Sequence, residues 1–228
     1  MNSNENAAAN PKKLGKLRGC ALILFGFAII ILIFGIISGE DEDKFTDSRD
    51  DRKYKTVKIG SQIWMAENLN YDIPSSKCYD NNPDNCNKYG RLYDWETAMK
   101  ACPSGWHLPS NKEWDSLYRF ADGTSGADSP YESPTAGKYL KATSGWNADE
   151  GKSGNGEDKF GFAALPGGGF SVKNSFCCDG MYGIWWSSSE SSSDNRIYSR
   201  NIRDIFESAG YGYDQKTTAY SVRCVKDN

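Results

Sequence analysis

Residues 94–121 read DWETAMKACPSGWHLPSNKEWDSLYRFA, and the chain closes on residues 220–228, YSVRCVKDN. Asp94 is a favoured N-cap residue, and Trp95, Ala98, Met99 and Cys102 follow at i, i+3, i+4 and i+7. That spacing puts all four on one helical face and turns Cys102 toward a core. Pro103 disfavours helical geometry at the residue before it, and Gly105 sits in the break that follows. Ser110 opens a second helix with Glu113 three residues on, the capping-box pattern, and Trp114, Leu117, Tyr118 and Ala121 form its apolar stripe. In the closing segment Tyr220, Val222 and Cys224 alternate with Ser221 and Arg223, the period of a strand with one buried face. Cys224 then faces inward as well, and a Cys102–Cys224 disulfide would tie the first helix to the last strand. In the chain-entropy view, closing so long a loop stabilises by about 4–5 kcal/mol, less if the unfolded chain is compact.

The N-terminus supplies an oxidising compartment for that bridge. Residues 20–38, CALILFGFAIIILIFGIIS, are uncharged and apolar. At the helical rise they span about 28 Å, against about 30 Å for a bilayer core. Lys12, Lys13, Lys16 and Arg18 precede the run, while Glu40, Asp41, Glu42 and Asp43 follow it. The positive-inside rule therefore keeps the N-terminus in the cytoplasm and exports the rest. A cleaved signal peptide is the alternative. The run is longer than a usual signal core, however, and no small-x-small site follows it. The expected organisation is a cytoplasmic segment at 1–19, an inner-membrane signal anchor at 20–39, an acidic linker at 40–53 and one periplasmic or extracellular domain at 54–228. Residues 40–52, EDEDKFTDSRDDR, have the composition of a solvated tether.

Removing the four bases and one acid of the first 39 residues leaves 23 bases against 29 acids, a net charge near −6. Nucleic acid is not an expected partner of such a surface. Six of the seven cysteines lie beyond the apolar run, an even number that fits a disulfide framework with 15 possible connectivities. Cys78 and Cys86 bracket an Asp/Asn-rich turn, CYDNNPDNC, that a bridge between them would close. Cys177 and Cys178 are adjacent; a vicinal bridge, other partners and free thiols all stay open.

The remaining pattern is α+β. Residues 56–69 read as a hairpin turning at Gly60-Ser61. Ser133 to Thr143 read as a third helix with Pro134 in its first turn. Phe160 to Phe170, FGFAALPGGGF, read as a short strand entering a glycine turn, and Gly183 to Ser188 and Ile197 to Ile202 as further short strands. Residues 122–132 and 144–160 are loop-like in composition.

Several motifs resemble one family. WMAENLNY (64–71), CYDNNPDNC (78–86), KYGRLYDW (88–95), ACPSGWHLPSNKEW (101–114), GFAALPGG (161–168), WWSSSE (185–190) and YSVRCVKD (220–227) stand in the order found in the Fibrobacter succinogenes major paralogous domain. That family is similar in turn to the C-type-lectin-like fold of formylglycine-generating enzymes, through a shared G-x-x-L-P-[ST]-x-x-E-W helix start and a late Arg-Cys strand. The resemblance implies two or three helices, short antiparallel strands, a bacterial surface or periplasmic setting, and the pairings Cys78–Cys86 and Cys102–Cys224. Here the chain departs from its relatives in GGGF at 167–170 and in the Cys177-Cys178 pair.

Function narrows to binding. Seven Trp and thirteen Tyr are ample for stacking on sugar rings. Trp64, Trp95, Trp114 and Trp185 sit at core-like spacing, whereas Trp146, Tyr182, Trp186, Tyr198, Tyr211 and Tyr213 are flanked by polar loops and are the candidate ligand contacts. Asn147, Asp149, Asn155, Glu157 and Asp158 crowd one loop with hard oxygen ligands, but the EF-hand pattern fails at Gly151 and the sugar-binding lectin signatures are absent, so no metal and no cofactor is assigned. His107 is the one histidine, set in a turn before a helix, and no catalytic residue is assigned. The polar run Ser187–Asn195 and the glycine turn Gly167–Gly169 would be ligand-facing loops if the domain instead met an envelope protein. The expected partners are a polysaccharide or such a protein.

Overall fold

The computed structural model describes residues 43–124, 132–171, 173–191 and 196–227, and the proposed anchor at 20–39 lies outside them. Among the described residues no helix is long and apolar enough to cross a membrane. The architecture is α+β: two sheets, with four short helices where two or three were expected.

The first sheet runs β1 (Lys44–Asp47), β2 (Arg52–Ile59), β3 (Gln62–Met65), β12 (Val225–Lys226) and β5 (Trp106–His107). The acidic stretch expected to be a tether is therefore folded from Lys44, because β1 pairs antiparallel with β2 from Lys44↔Lys55 to Asp47↔Arg52. Two side chains explain why composition misled. Phe45 packs on Trp106 with ring centroids 5.2 Å apart, and the buried Asp47 takes the Arg49 guanidinium in a fork at 2.6–3.2 Å.

The second sheet runs β10 (Ala209–Asp214), β9 (Ile197–Arg203), β8 (Tyr182–Glu190), β11 (Ala219–Ser221), β6 (Gly167–Ser171) and β7 (Ser175–Asp179), with β4 (Leu92–Asp94) also on β11. Its ladders are antiparallel except for β8 and β11, which run parallel at Ser221↔Trp185. The three glycines read as a turn are strand instead. A Cβ on Gly169 would lie 2.6 Å from the Tyr220 ring, and one on Gly168 would lie 2.3 Å from the Cys177 carbonyl oxygen. Close approach, not turning, is what glycine provides there.

Helix α1 (Pro83–Tyr89) occupies the turn between Cys78 and Cys86, capped by Asn82, whose side chain accepts from the Asp84 N–H. In α2 (Trp95–Ala101) Asp94 accepts from the Thr97 N–H at 2.8 Å as expected. The buried stripe is Trp95, Ala98 and Ala101, while Met99 is 45 % exposed. Helix α3 (Asn111–Asp122) has the capping box at Ser110 and Glu113 and buries Trp114, Leu117, Tyr118 and Ala121. The expected third helix shrinks to α4 (Ala136–Leu140). Ser133 does accept from the Ala136 N–H at 3.0 Å, but its backbone is taken up in a bridge to Ala209.

Both expected bridges are present, Cys78–Cys86 and Cys102–Cys224. The closing segment is not one strand. β11 belongs to the second sheet and β12 to the first, and the chain crosses between them at Val222–Cys224 with both faces buried. Arg223, expected to face water, is wholly buried at that crossing. Its Nε donates to Asn68 Oδ1 at 3.0 Å, Nη1 donates to the carbonyls of Met65 and Phe162 at 3.2 and 2.7 Å, and Nη2 reaches Ala163 O at 3.4 Å. Asn68 Oδ1 also accepts from Trp185 Nε1 at 2.9 Å. Around this point Trp64, Trp114, Phe162 and Trp185 pack with centroids 5.0–6.4 Å apart.

Replacing Arg223 with Met would leave three backbone carbonyls without their donor. Urea unfolding followed by tryptophan fluorescence is expected to show a loss of about 3 kcal/mol or more. A loss below about 1 kcal/mol would show that the guanidinium does not hold the crossing.

Candidate functional site

The second sheet sorts the six candidate ligand contacts. Trp186 is fully buried and donates through Nε1 to Tyr93 O at 2.8 Å; Trp146 is 5 % exposed and donates to Ala164 O at 3.0 Å. Both belong to the core, and neither meets a ligand, because each indole N–H is spent on a backbone carbonyl that burial leaves without water. Tyr182 opens β8 opposite Arg203, whose guanidinium lies 5.2 Å from its ring centre. The other three come together. Tyr198 stands across from Tyr213 on the β9–β10 ladder, with Tyr211 two residues along the same strand face. Their ring centroids are 4.7 Å (198–213), 5.3 Å (211–213) and 6.1 Å (198–211) apart. Tyr182 pairs at Arg203, five residues along β9 from Tyr198, and so stands roughly 17 Å away.

The trio is partly exposed, and Tyr213 at 40 % is the most open of the three. The Tyr213 hydroxyl donates to that of Tyr198 at 3.5 Å. That hydrogen bond first, then partial burial, raises the Tyr213 pKa, so the phenol stays protonated at neutral pH. Next to the trio, Asp214 turns to the other face of the sheet, where a groove of about 290 Å³ is lined by Tyr213, Asp214, Gln215, Arg196, Ser171 and Tyr220. Asp214 is held by the Ser199 hydroxyl at 2.9 Å. Behind the trio, Arg200 is buried against the first turn of α3, with Nη1 2.7 Å from Asp115 and Nη2 donating to Asn111 O at 3.2 Å. The arrangement offers planar aromatic faces on one side of the β9–β10 ladder, and hydroxyl, amide, guanidinium and carboxylate groups around the neighbouring groove. Arg196, Asp214 and Gln215 escaped sequence reading because only the pairing of β9 with β10, which sets Asp214 opposite Ile197, brings them to one groove.

The other candidate regions do different work. In the oxygen-rich loop, Asn155 Oδ1 accepts from the Trp146 N–H at 3.0 Å and Asp158 Oδ1 from the Ala163 N–H at 2.7 Å. The loop and residues 204–207 line a cleft of about 430 Å³. In its wall the Lys141 ammonium donates to the carbonyls of Asp204, Phe206 and Arg203 at 2.9, 3.1 and 3.4 Å. Among the described residues no group of three or more His, Cys, Asp or Glu side chains is placed to hold a metal ion. Ser187–Glu190, read as a loop, is strand within β8.

His107 is clasped from both sides, Nδ1 at 2.6 Å from Asp227 Oδ1 and Nε2 at 2.7 Å from Glu113 Oε1. In its protonated form the ring donates through both nitrogens to these carboxylates. It fastens the C-terminal residues to the start of α3. Partial burial lowers its pKa, but the hydrogen bonds to Asp227 and Glu113 outweigh that and leave it raised.

Compared with known protein families, residues 57–226 match the Fibrobacter succinogenes major domain. No curated protein and no solved structure matches the chain.

A raised histidine pKa stabilises the fold fully below the unfolded value of about 6.5, and that contribution fades as pH rises through the folded value. The melting temperature is therefore expected to fall as the pH rises above about 6.5. The same scan on His107→Gln is expected to be flatter, and an unchanged slope would show that the clasp does not titrate in this range.

Proposed function

The chain belongs to the Fibrobacter succinogenes major domain family, and from that premise we propose that its folded part is a non-catalytic carbohydrate-binding domain, held at the cell envelope by residues 20–39. The observation that carries the reading is the three-tyrosine cluster at Tyr198, Tyr211 and Tyr213. Sugar rings present C–H faces and equatorial hydroxyls together, and a tyrosine offers an apolar plane with a polar tip. Arg196, Asp214 and Gln215 at the groove edge would take the hydroxyls in directed hydrogen bonds, the usual division between apolar lining and a few placed polar groups. Two disulfides support an exported domain, since such bridges persist in oxidising compartments.

We read the architecture as C-type-lectin-like, on the helix opening at Ser110 and the bridge from Cys102 to the final segment. A second reading is an adhesion or assembly component that meets an envelope protein. Phe120 (48 % exposed), packed edge-to-face against the half-buried Phe160 at 5.4 Å, favours it as an apolar surface open to water. A formylglycine-generating-like activity draws no support from the described cysteines, of which four are bridged and the other two are adjacent.

The test is a polysaccharide pull-down and glycan array with the full chain. Retention on at least one glycan class is expected, with Tyr213→Ala and Tyr198→Ala each weakening it about tenfold, a loss of roughly 1.4 kcal/mol. Tyr182→Ala is expected to bind like the parent. Absence of retention on every glycan, or binding that the tyrosine variants leave unchanged, would remove the carbohydrate reading.

A further inference from the structure

We propose that Cys177 and Cys178 form a dithiol–disulfide exchange site on the exposed edge strand β7, which takes a small disulfide as its substrate and closes to a vicinal bridge. This goes beyond the carbohydrate reading and does not depend on it.

Adjacent residues of a regular strand point to opposite faces, so two neighbouring cysteines would ordinarily be kept apart. Here they are not. Cys177 lies close enough to the Cys178 thiol to influence its proton. The backbone departure lies at Cys178, whose φ is +77°, in the left-handed region that few non-glycine residues enter. Flanking pairs Gly169↔Cys177 and Gly167↔Asp179 put Gly168 opposite it, and Gly168 is left-handed too, at φ +60°. Only glycine fits there, because a Cβ would lie 2.3 Å from Cys177 O and 3.0 Å from Cys178 C. The GGGF segment and the cysteine pair are thus one construction, with the glycine making room for the rotated cysteine.

The strand is fixed on either side. Phe176 packs against Phe170 at 4.8 Å and Tyr79 at 5.2 Å. β7 lies at the sheet edge, Cys177 is exposed and Cys178 half-buried. Both are free while the other four described cysteines are bridged. Burial first, then the hydrogen bond to Cys177, pushes the Cys178 thiol up to about 12, so it holds its proton while Cys177 is free.

The exchange therefore has an order. Cys177 loses its proton to solvent and attacks one sulfur of the small disulfide. That S–S bond breaks, and the departing thiolate takes up a proton. Cys177 now sits in a mixed disulfide and no longer holds the Cys178 proton. Cys178 gives that proton up, attacks the Cys177 sulfur and expels the second thiol. Two protein thiols are oxidised, and one disulfide is reduced to two thiols.

The purified full chain is incubated with oxidised glutathione without denaturant, then measured by maleimide labelling and peptide mass. The Cys177 and Cys178 thiols are expected to disappear together, with the peptide that carries them losing two hydrogens and retaining no glutathione. Cys178→Ser is expected to keep one glutathione at Cys177. Cys177→Ser is expected to react at least about tenfold more slowly, its remaining thiol being half-buried. Parent protein that keeps both thiols, or carries glutathione stably on either, would overturn the proposal. So would equal reaction rates of the two single variants.

Discussion

A guanidinium taken wholly out of water carries a desolvation cost of several kcal/mol, and Arg223 has no carboxylate in direct contact to offset it. Burial pulls its pKa down to about 9 against the opposing charges of Glu67 and Asp158, which still leaves it charged at neutral pH. The offset comes from one side-chain amide oxygen, three carbonyl oxygens and the face of Phe162, 4.5 Å from the guanidinium carbon. Those carbonyls need a donor because of the topology. Where the chain leaves β11 in one sheet and enters β12 in the other, neither ladder can satisfy the backbone that it passes. A planar fork with five N–H groups answers several carbonyls at once, which an ammonium does less well. Asn68 extends the junction by accepting from Trp185 of β8 and donating to Tyr89 O at the end of α1.

Other restraints converge on the same crossing. Cys102–Cys224 fixes the residue after Arg223 to the end of α2, and His107 with Asp227 fixes the residues beyond β12 to the start of α3. The region at the strand ends of β9 and β10 carries fewer such ties, and there the tyrosines open to solvent. The buried junction lies where the two sheets meet, and the tyrosines lie at the β9–β10 edge of the second sheet. That is the usual division between a scaffold and the surface it presents.

Much of this organisation is legible in the sequence where the signal is local. The capping box at Ser110 and Glu113, the α3 stripe, the Asp94 cap and the inward turn of Cys102 and Cys224 depend on neighbours within a few residues, and each is found. Misreadings arise where a distant segment decides. Alternation assigned Arg223 to water, but two sheets meet there and bury both faces. Composition made 43–53 a tether, although Phe45 finds Trp106 and Asp47 finds Arg49. Trp146 and Trp186 have polar sequence neighbours, yet their indoles meet carbonyls far along the chain. For the candidate site, Tyr198, Tyr211 and Tyr213 were visible as residues. Their union was not, because strand register is a property of two segments together.

Lys141 has a consequence for how the cleft beside it relates to its surroundings. An ammonium caged by three carbonyls occupies the kind of place that a dissolved cation fills in many extracellular loops. A dissolved cation comes and goes with its concentration, and the loop's order then follows the composition of the medium. Lys141 is covalently part of the chain, so its local concentration is fixed by the fold and dilution leaves it in place. The turn at 203–206 is thus held by a cation that belongs to the chain itself.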